Sequence, residues 1–270
     1  MTTTSALGFG GSVPHIYHTL LEPLIFEPYA RDIVARVAVK PGERILELAC
    51  GTGIVTRKLA DAMPSDATLL ASDLNPAMLQ VARERLADAK GVTFNIIDGC
   101  SIPLPNQTVD ALVCQYGVMF FPDKPAAMRE ARRVLKPGGR YIFNVWDAIE
   151  HNPVAKTVDE VLTALVPGNP PKFLHQGPFS WHDRAEIERT VRDAGFQHVH
   201  IETLEFPSEA PTAAQAAEAW IDGTPLKPAL AERGITDTAD VRARVAAALT
   251  ERFGDRPCRS TIRALVVTAK

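Results

Sequence analysis

The chain has 270 residues, 46% of them hydrophobic and 23% charged, which excludes a disordered or collagen-like chain and is enough to bury a core without staples. Lys and Arg number 29 against 32 Asp and Glu, a net charge of −3, so the chain lacks the basic excess of a nucleic-acid binder. Four cysteines without CxxC spacing (Cys50, Cys100, Cys114, Cys258) and the absence of a membrane-length apolar run point to a cytoplasmic protein with no membrane partner.

Met1 to Gly11 lacks the pattern of a signal peptide, and the Thr/Ser/Gly-rich first dozen residues read as frayed. His15–Val37 reads as one or two helices broken by Pro23 and Pro28. Strand and helix patterns then alternate. Arg44–Ala49 is a strand and Thr56–Ala62 a helix; Thr68–Ser72 is a strand and Pro76–Ala89 a helix capped by Asn75. Val92–Ile97 and Ala111–Gln115 are strands, and Pro125–Leu135 is a helix closed by the turn Lys136–Gly139. Arg140–Trp146 is a fifth strand, followed by helices at Val154–Leu165 and Ala185–Ala194. His198–Phe206 and Ile262–Thr268 are the last two strands. Between them, residues 208–255 read as Ala-rich helices broken at Gly223, Pro225 and Pro228. In the helix Thr238–Phe253, Arg242, Arg244 and Arg252 read as a solvated face.

This order predicts an α/β fold: a Rossmann-like, mostly parallel seven-stranded sheet with helices on both faces and helical lid segments. Residues 1–37 form an N-terminal lid segment, residues 38–207 with 259–270 the core, and residues 208–258 a helical cap. Sheets of this type bind ligands at the carboxyl ends of their strands.

The strand ends carry the informative residues. Glu47-Leu-Ala-Cys-Gly-Thr-Gly53 follows the first strand; Gly51 and Gly53 permit positive φ and close approach of a ligand. Glu47 is a carboxylate in an apolar strand and needs a partner, either a ligand ammonium or a network of backbone N–H groups. The third glycine of a dinucleotide fingerprint would fall at position 56, which is Thr56, and this weighs against NAD. Asp73 ends the second strand, where a carboxylate can accept from two ribose hydroxyls; its plain alternative is a cap beside Asn75. Asp98-Gly99 ends the third strand and Gln115-Tyr116-Gly117 the fourth. Asp98 could accept from an adenine amine or simply shape a turn.

Together ELACGTG (47–53), SDLNPAM (72–78), DGCSIPLP (98–105), DALVCQYGVMFF (110–121) and RVLKPGGRYIF (133–143) resemble class I S-adenosylmethionine-dependent methyltransferases. The small-molecule group that includes the ubiquinone/menaquinone-biosynthesis enzymes is the most similar flavour. The resemblance covers about residues 40–147 firmly and implies S-adenosylmethionine as cofactor and S-adenosylhomocysteine as product. It implies that Glu47, Ala49, Cys50, Gly51 and Gly53 surround the methionine part of the cofactor. Ala49 stands where the family often has glycine. Asp73 would hold the ribose; Leu74 and Met78 would pack on the adenine; Asp98, Gly99 and Cys100 would contact its edge. Gln115 would face the methionine moiety, and Tyr17 would reach the cofactor from the N-terminal segment.

Acceptor-site candidates are Tyr29, Tyr116, Phe120, Trp146 and Trp181, each with core packing as its alternative. His18, His175 and His182 are general-base candidates. His198 and His200 share a strand face, but two histidines make no metal site, and no metal is expected. The expected activity is in-line methyl transfer to a small-molecule acceptor. Alternatives are a quinone-ring C-methyltransferase and a catalytically silent S-adenosylmethionine-binding protein. A homodimer through the helical segments is compatible with the sequence.

Overall fold

The computed structural model describes residues 13–270. The segment read as frayed lies outside the described residues. Helix α1 (Val13–Ile16) runs into a ten-residue π-helix, Tyr17–Phe26, and then into α2 (Glu27–Val37). Pro23 and Pro28 do not break this run, contrary to expectation. Pro23 lies inside the π-helix, whose i→i+5 register shows in the bond from the Glu27 N–H to the Glu22 carbonyl. That wider register moves the backbone away from the i−4 carbonyl that a proline ring strikes in an α-helix. Pro28 falls in the first turn of α2, where proline is tolerated.

The strands are β1 (Arg44–Glu47), β2 (Thr68–Asp73), β3 (Val92–Ile96), β4 (Val109–Gln115), β5 (Leu135–Trp146), β6 (Val199–Ala210) and β7 (Cys258–Ala269). The helices after α2 are α3 (Ile54–Ala62), α4 (Pro76–Arg85), α5 (Lys124–Val134), α6 (Pro153–Leu165) and α7 (Phe173–Gln176). They continue with α8 (Arg184–Asp193), α9 (Ala213–Asp222), α10 (Leu226–Ala231) and α11 (Ala239–Phe253). One seven-stranded sheet has the order β3-β2-β1-β4-β5-β7-β6. The pairs from β3 to β5 are parallel, and β7 pairs with β5 antiparallel. The predicted α/β architecture is therefore present, and strand order reverses between β1 and β4. That reversal opens a crevice at the carboxyl ends of the two strands.

Two local expectations change. Lys136–Gly139, read as a turn, lies within β5. Register with β4 jumps from Val109↔Leu135 to Ala111↔Arg140, so the four residues bulge out while the strand continues. Strands β6 and β7 run several residues beyond their predicted ends. Pro207 is tolerated in β6 because that strand is at the edge of the sheet.

Contacts divide the chain into two units. The sheet unit comprises Pro28–Trp146, Trp181–Leu204 and Ala264–Lys270. On one face of its sheet, Ile45, Leu69, Ala111, Val113 and Ile142 pack against Ala30, Ile33 and Val37 of α2 and Val55 and Leu59 of α3. Leu79 of α4 packs with Ala71 and Cys50. Alternation puts Glu47, Asp73, Gln115 and Asn144 on this same face, beyond the apolar residues. The opposite face carries Tyr141 and Phe143, whose rings meet Phe196 and Trp181. Arg140 fastens α2 to the sheet, donating to the Val37 carbonyl and to Glu43 at 2.6 Å each.

Among the described residues, the helical unit comprises residues 13–27, Asp147–Ser180 and Glu205–Arg263. Gly223 and Pro225 separate α9 from α10 as predicted, whereas Pro228 lies in the first turn of α10. The solvated arginine face of α11 proves more engaged than expected. Arg252 reaches Glu160 at 2.6 Å, and Arg242 reaches Asp222 at 2.8 Å. Asp222 is 2% exposed, accepts from the Thr238 hydroxyl at 2.9 Å and has Lys227 Nζ at 3.4 Å. Asp222→Ala should lower the unfolding free energy by about 1.5–3 kcal/mol, the worth of a charge-assisted bond lost from a buried acceptor. Urea unfolding measures this, and an unchanged midpoint would show that Asp222 does not anchor α11.

Candidate active site

Strand β1 ends at Glu47, and the turn to α3 is built from left-handed residues. Ala49, Gly51 and Gly53 have φ of 52°, 56° and 89°. Hydrogen bonds tie this turn to the end of β2. The Ser72 hydroxyl donates to the Glu47 carbonyl at 2.7 Å, and the Cys50 N–H donates to the Ser72 carbonyl at 2.8 Å. Asp73 accepts from the Gly51 N–H at 2.9 Å and from the Asn75 N–H at 2.8 Å. Asn75 caps α4 through Ala77 N–H, as predicted. A Cβ built on Gly51 meets no atom within 4 Å, so its outer side faces open space. Gly117 is the reverse: a Cβ there would lie 2.4 Å from Ala49 Cβ and 2.7 Å from Cys114 Sγ. Only glycine lets the turn after β4 approach the turn after β1 this closely.

Glu47 is 1% exposed, and its Oε2 accepts from the Thr56 hydroxyl at 2.7 Å. Burial, with Asp73 adding to it, pushes its carboxyl up to about 8. Burial also raises Asp73 against the pull of the Asn75 and Gly51 N–H groups. The Cys114 thiol is pushed up to about 12, and Cys50 is raised by burial and by Glu47. Both thiols are therefore neutral at physiological pH and poor nucleophiles. A positive charge beside Glu47 would offset this burial and favour its ionised form.

At the ends of β4 and β5 the aromatic residues gather. Tyr116 has φ 53°, a strained position for an aromatic residue, and Asn144 holds it there: the Tyr116 N–H donates to Asn144 Oδ1 at 3.0 Å and to the Asn144 carbonyl at 3.2 Å. The Tyr116 ring stacks on Trp146 at 3.9 Å, and Tyr29 meets both edge-on at 5.6 and 5.7 Å. The Tyr29 hydroxyl donates to the Leu204 carbonyl at 2.9 Å. All three rings are at most 6% exposed. Gln115 faces Asn144 across the β4–β5 pair.

The other expected residues are spread more widely. Met78 is buried in the sheet unit, and Leu74 is 40% exposed. Asp98 accepts from the Cys100 N–H at 2.8 Å and so shapes its own turn. Gly99 is packed under Phe121, and Phe120 is half-buried in a short helix, Val118–Phe120. Trp181 lies on the opposite face of the sheet, stacked over Phe143 at 6.2 Å and donating to Glu186 at 3.0 Å. The structure thus makes it a core residue and separates it from the strand-end cluster. His182 is exposed in the sheet unit. In the helical unit, Tyr17 stacks on Phe26 at 5.0 Å, His18 contacts Glu22 at 2.6 Å and His175 contacts Asp159 at 2.9 Å. Sequence reasoning gives no role to Ser72 and Asn144, takes Thr56 only as the absent third glycine and Gly117 only as part of the turn after the fourth strand. The readable signal was a polar residue inside an apolar run, as in TLLAS and YIFNVW.

Glu47 gives this region a pH signature. Between its ordinary value of 4.5 and about 8 the native carboxyl keeps a proton that the unfolded chain has released. Stability should therefore fall as pH rises through that window, by a few kcal/mol in all, and level off above it. Urea unfolding at pH 5, 7 and 9 measures the fall. Glu47→Gln should flatten it, and an equal slope in the variant would assign the effect elsewhere.

Comparison with known proteins agrees with this architecture. A family described as a methyltransferase domain matches residues 45–139. The ubiquinone/menaquinone biosynthesis C-methyltransferase UbiE of Ectopseudomonas mendocina is 30% identical over 184 residues, covering 63% of this chain and 72% of the relative. The fold is shared with the YcgJ protein of Bacillus subtilis, at a TM-score of 0.59 and 18% identity over 89% of this chain and 96% of that one. It is also shared with a Haemonchus contortus phosphoethanolamine N-methyltransferase 2 solved with phosphomonomethylethanolamine and S-adenosylhomocysteine. There the TM-score is 0.61 and identity 16%, over 95% of this chain and 56% of that one. The chain belongs to the class I S-adenosylmethionine-dependent methyltransferases.

Proposed function

We propose that the carboxyl ends of β1, β2, β3 and β4 hold S-adenosylmethionine and that the enzyme methylates a small-molecule acceptor by in-line displacement. The observation that carries this reading is the buried, proton-retaining carboxyl of Glu47, one turn from the open cradle over Gly51. A ligand ammonium supplies the positive charge beside which this carboxyl would ionise. Asp73 accepts from the Gly51, Asn75 and Leu74 N–H groups and keeps acceptor capacity on its two oxygens for the ribose. Asp98 spends Oδ1 on Cys100 and offers Oδ2 to the adenine amine. Leu74 and Met78 flank the base, and Gln115 faces the methionine end.

When bound, the cofactor supplies an electrophilic methyl group on a positively charged sulfur. The chain's contribution is to fix the direction of approach and exclude water. Orientation of this kind lowers a barrier by roughly 7–11 kcal/mol. Tyr116 and Trp146, at the ends of β4 and β5, are proposed to border the acceptor. All four cysteines are free thiols, which supports placing the enzyme in a reducing compartment, the cytoplasm. A second reading, methylation of a quinol ring carbon, is favoured by the activity named for the relatives. Loss of ring-methylated quinones in a strain lacking the gene would support it, and an unchanged quinone profile would exclude it.

Calorimetric titration with S-adenosylhomocysteine, beside NADH as a control, tests the primary reading. Binding of the former alone is expected, and binding of neither removes the reading. At pH 7 binding should release close to one proton, seen as a heat that varies with buffer ionisation enthalpy, because Glu47 must ionise to meet the ammonium. Asp73→Ala should weaken binding by about 1–3 kcal/mol. Gly51→Val should weaken binding more than Asp73→Ala, because its side chain fills the cradle and is strained at φ 56°, and circular dichroism of the variant separates loss of binding from loss of fold.

A further inference from the structure

Asn144 is fully buried in the middle of the sheet, and its amide is only half used. Its Oδ1 accepts from the Tyr116 N–H, which fixes the orientation of the amide, since only the oxygen can accept. Its Nδ2 carries two N–H donors with no acceptor among the described residues. A buried amide nitrogen in that state carries a desolvation penalty that a ligand oxygen would remove.

The position suits one part of the cofactor. Glu47 pairs in register with Val113, Val113 with Ile142, and Asn144 lies two residues further along β5 on the same face. Two strand spacings and two residue rises separate Glu47 and Asn144 by about 12 Å between Cα atoms. The zwitterionic end of an amino acid, with a hydrogen bond at each charged group, spans about 9 Å. Its carboxylate also needs donors, and the turns after β1 to β5 (48–53, 74–75, 97–101, 116–123 and 147–152) contain no Lys or Arg. The cations that reach these turns from neighbouring helices contact the backbone: Arg85 donates to the Thr52 carbonyl at 2.6 Å and Lys124 to the Phe121 carbonyl at 3.2 Å. Several backbone donors of the first turn are already spent: Cys50 on Ser72, Gly51 on Asp73 and Gly53 on Cys50.

We infer that Asn144 Nδ2 donates to the methionine carboxylate of the cofactor, so that Glu47 and Asn144 together read the zwitterion. This rests on the proposed placement of the methionine end at Glu47. Asn144 also holds the Tyr116 N–H, through Oδ1 and through its backbone carbonyl, so cofactor seating and the aromatic border share one residue.

The test is calorimetric titration of wild type, Asn144→Asp, Asn144→Ala and Glu47→Gln with three probes. These are S-adenosylhomocysteine, its decarboxylated amine and 5′-methylthioadenosine, which lacks both charged groups. Asn144→Asp keeps an oxygen that accepts from Tyr116 and replaces the N–H donors by a carboxyl group, whose ionised form repels the ligand carboxylate. It should lose at least tenfold in affinity for S-adenosylhomocysteine and nothing for the decarboxylated amine or methylthioadenosine. Asn144→Ala should show the same selectivity, whatever it does to thermal stability. Equal losses on all three probes, or no loss on any, would overturn the inference and leave Asn144 a structural amide. Glu47→Gln reports separately on the orientation: it should lose affinity for both amine-bearing probes and keep methylthioadenosine. If Glu47→Gln instead weakens all three alike, the orientation itself is wrong and the role of Asn144 falls with it.

Discussion

A carboxyl group is placed at the end of β1 with one hydroxyl as its side-chain partner, and much of the sheet unit is arranged around that fact. Glu47 sits where the strand order reverses, and it is shut off from solvent. Its backbone carbonyl is held by Ser72 of β2 and its side chain by Thr56 of α3. The turn that follows must then clear the carboxyl and return to a helix within a few residues, and left-handed conformations at Ala49, Gly51 and Gly53 make this possible. A group this costly to bury is tolerable when a cationic ligand completes it.

The same economy appears at the neighbouring strand ends. Asp73 both caps the backbone and retains acceptor capacity, and Asn144 both pins Tyr116 and retains donor capacity. Gly117 brings the turn after β4 against Ala49, so the two turns at the strand-order reversal behave as one packed piece. A change in either turn should therefore be felt in the other.

Much of this was legible in the sequence because the strands are buried and short, and the chemistry lies where they end. The apolar runs located the strands to within a few residues, and the residues after them, from Glu47 to Gln115, were singled out from position alone. What escaped notice depends on three-dimensional context. A proline's effect depends on helix register, so Pro23 looked like a break and is not one. KPGG carries turn chemistry, yet β5 absorbs it as a bulge beside β4. Trp181 followed a Pro/Gly-rich stretch and looked like a binding residue, but the face on which it lands is decided by packing against Phe143. Asn144 reads as one polar letter in an apolar strand until its amide is seen to be half satisfied.

Strand β7 has a consequence for how the chain is made. It is the last strand in sequence, yet it inserts between β5 and β6. Until it is synthesised, β5 keeps an open edge over Tyr141–Trp146, an apolar stretch of the kind that recruits foreign strands. All of the chain from Asp147 to Pro257 emerges during that wait. The parallel half of the sheet can assemble early, but closure of the antiparallel half is necessarily late and long-range, which slows folding. Expression yield and chaperone demand should therefore respond more sharply to changes in β7 than its modest share of the chain would suggest.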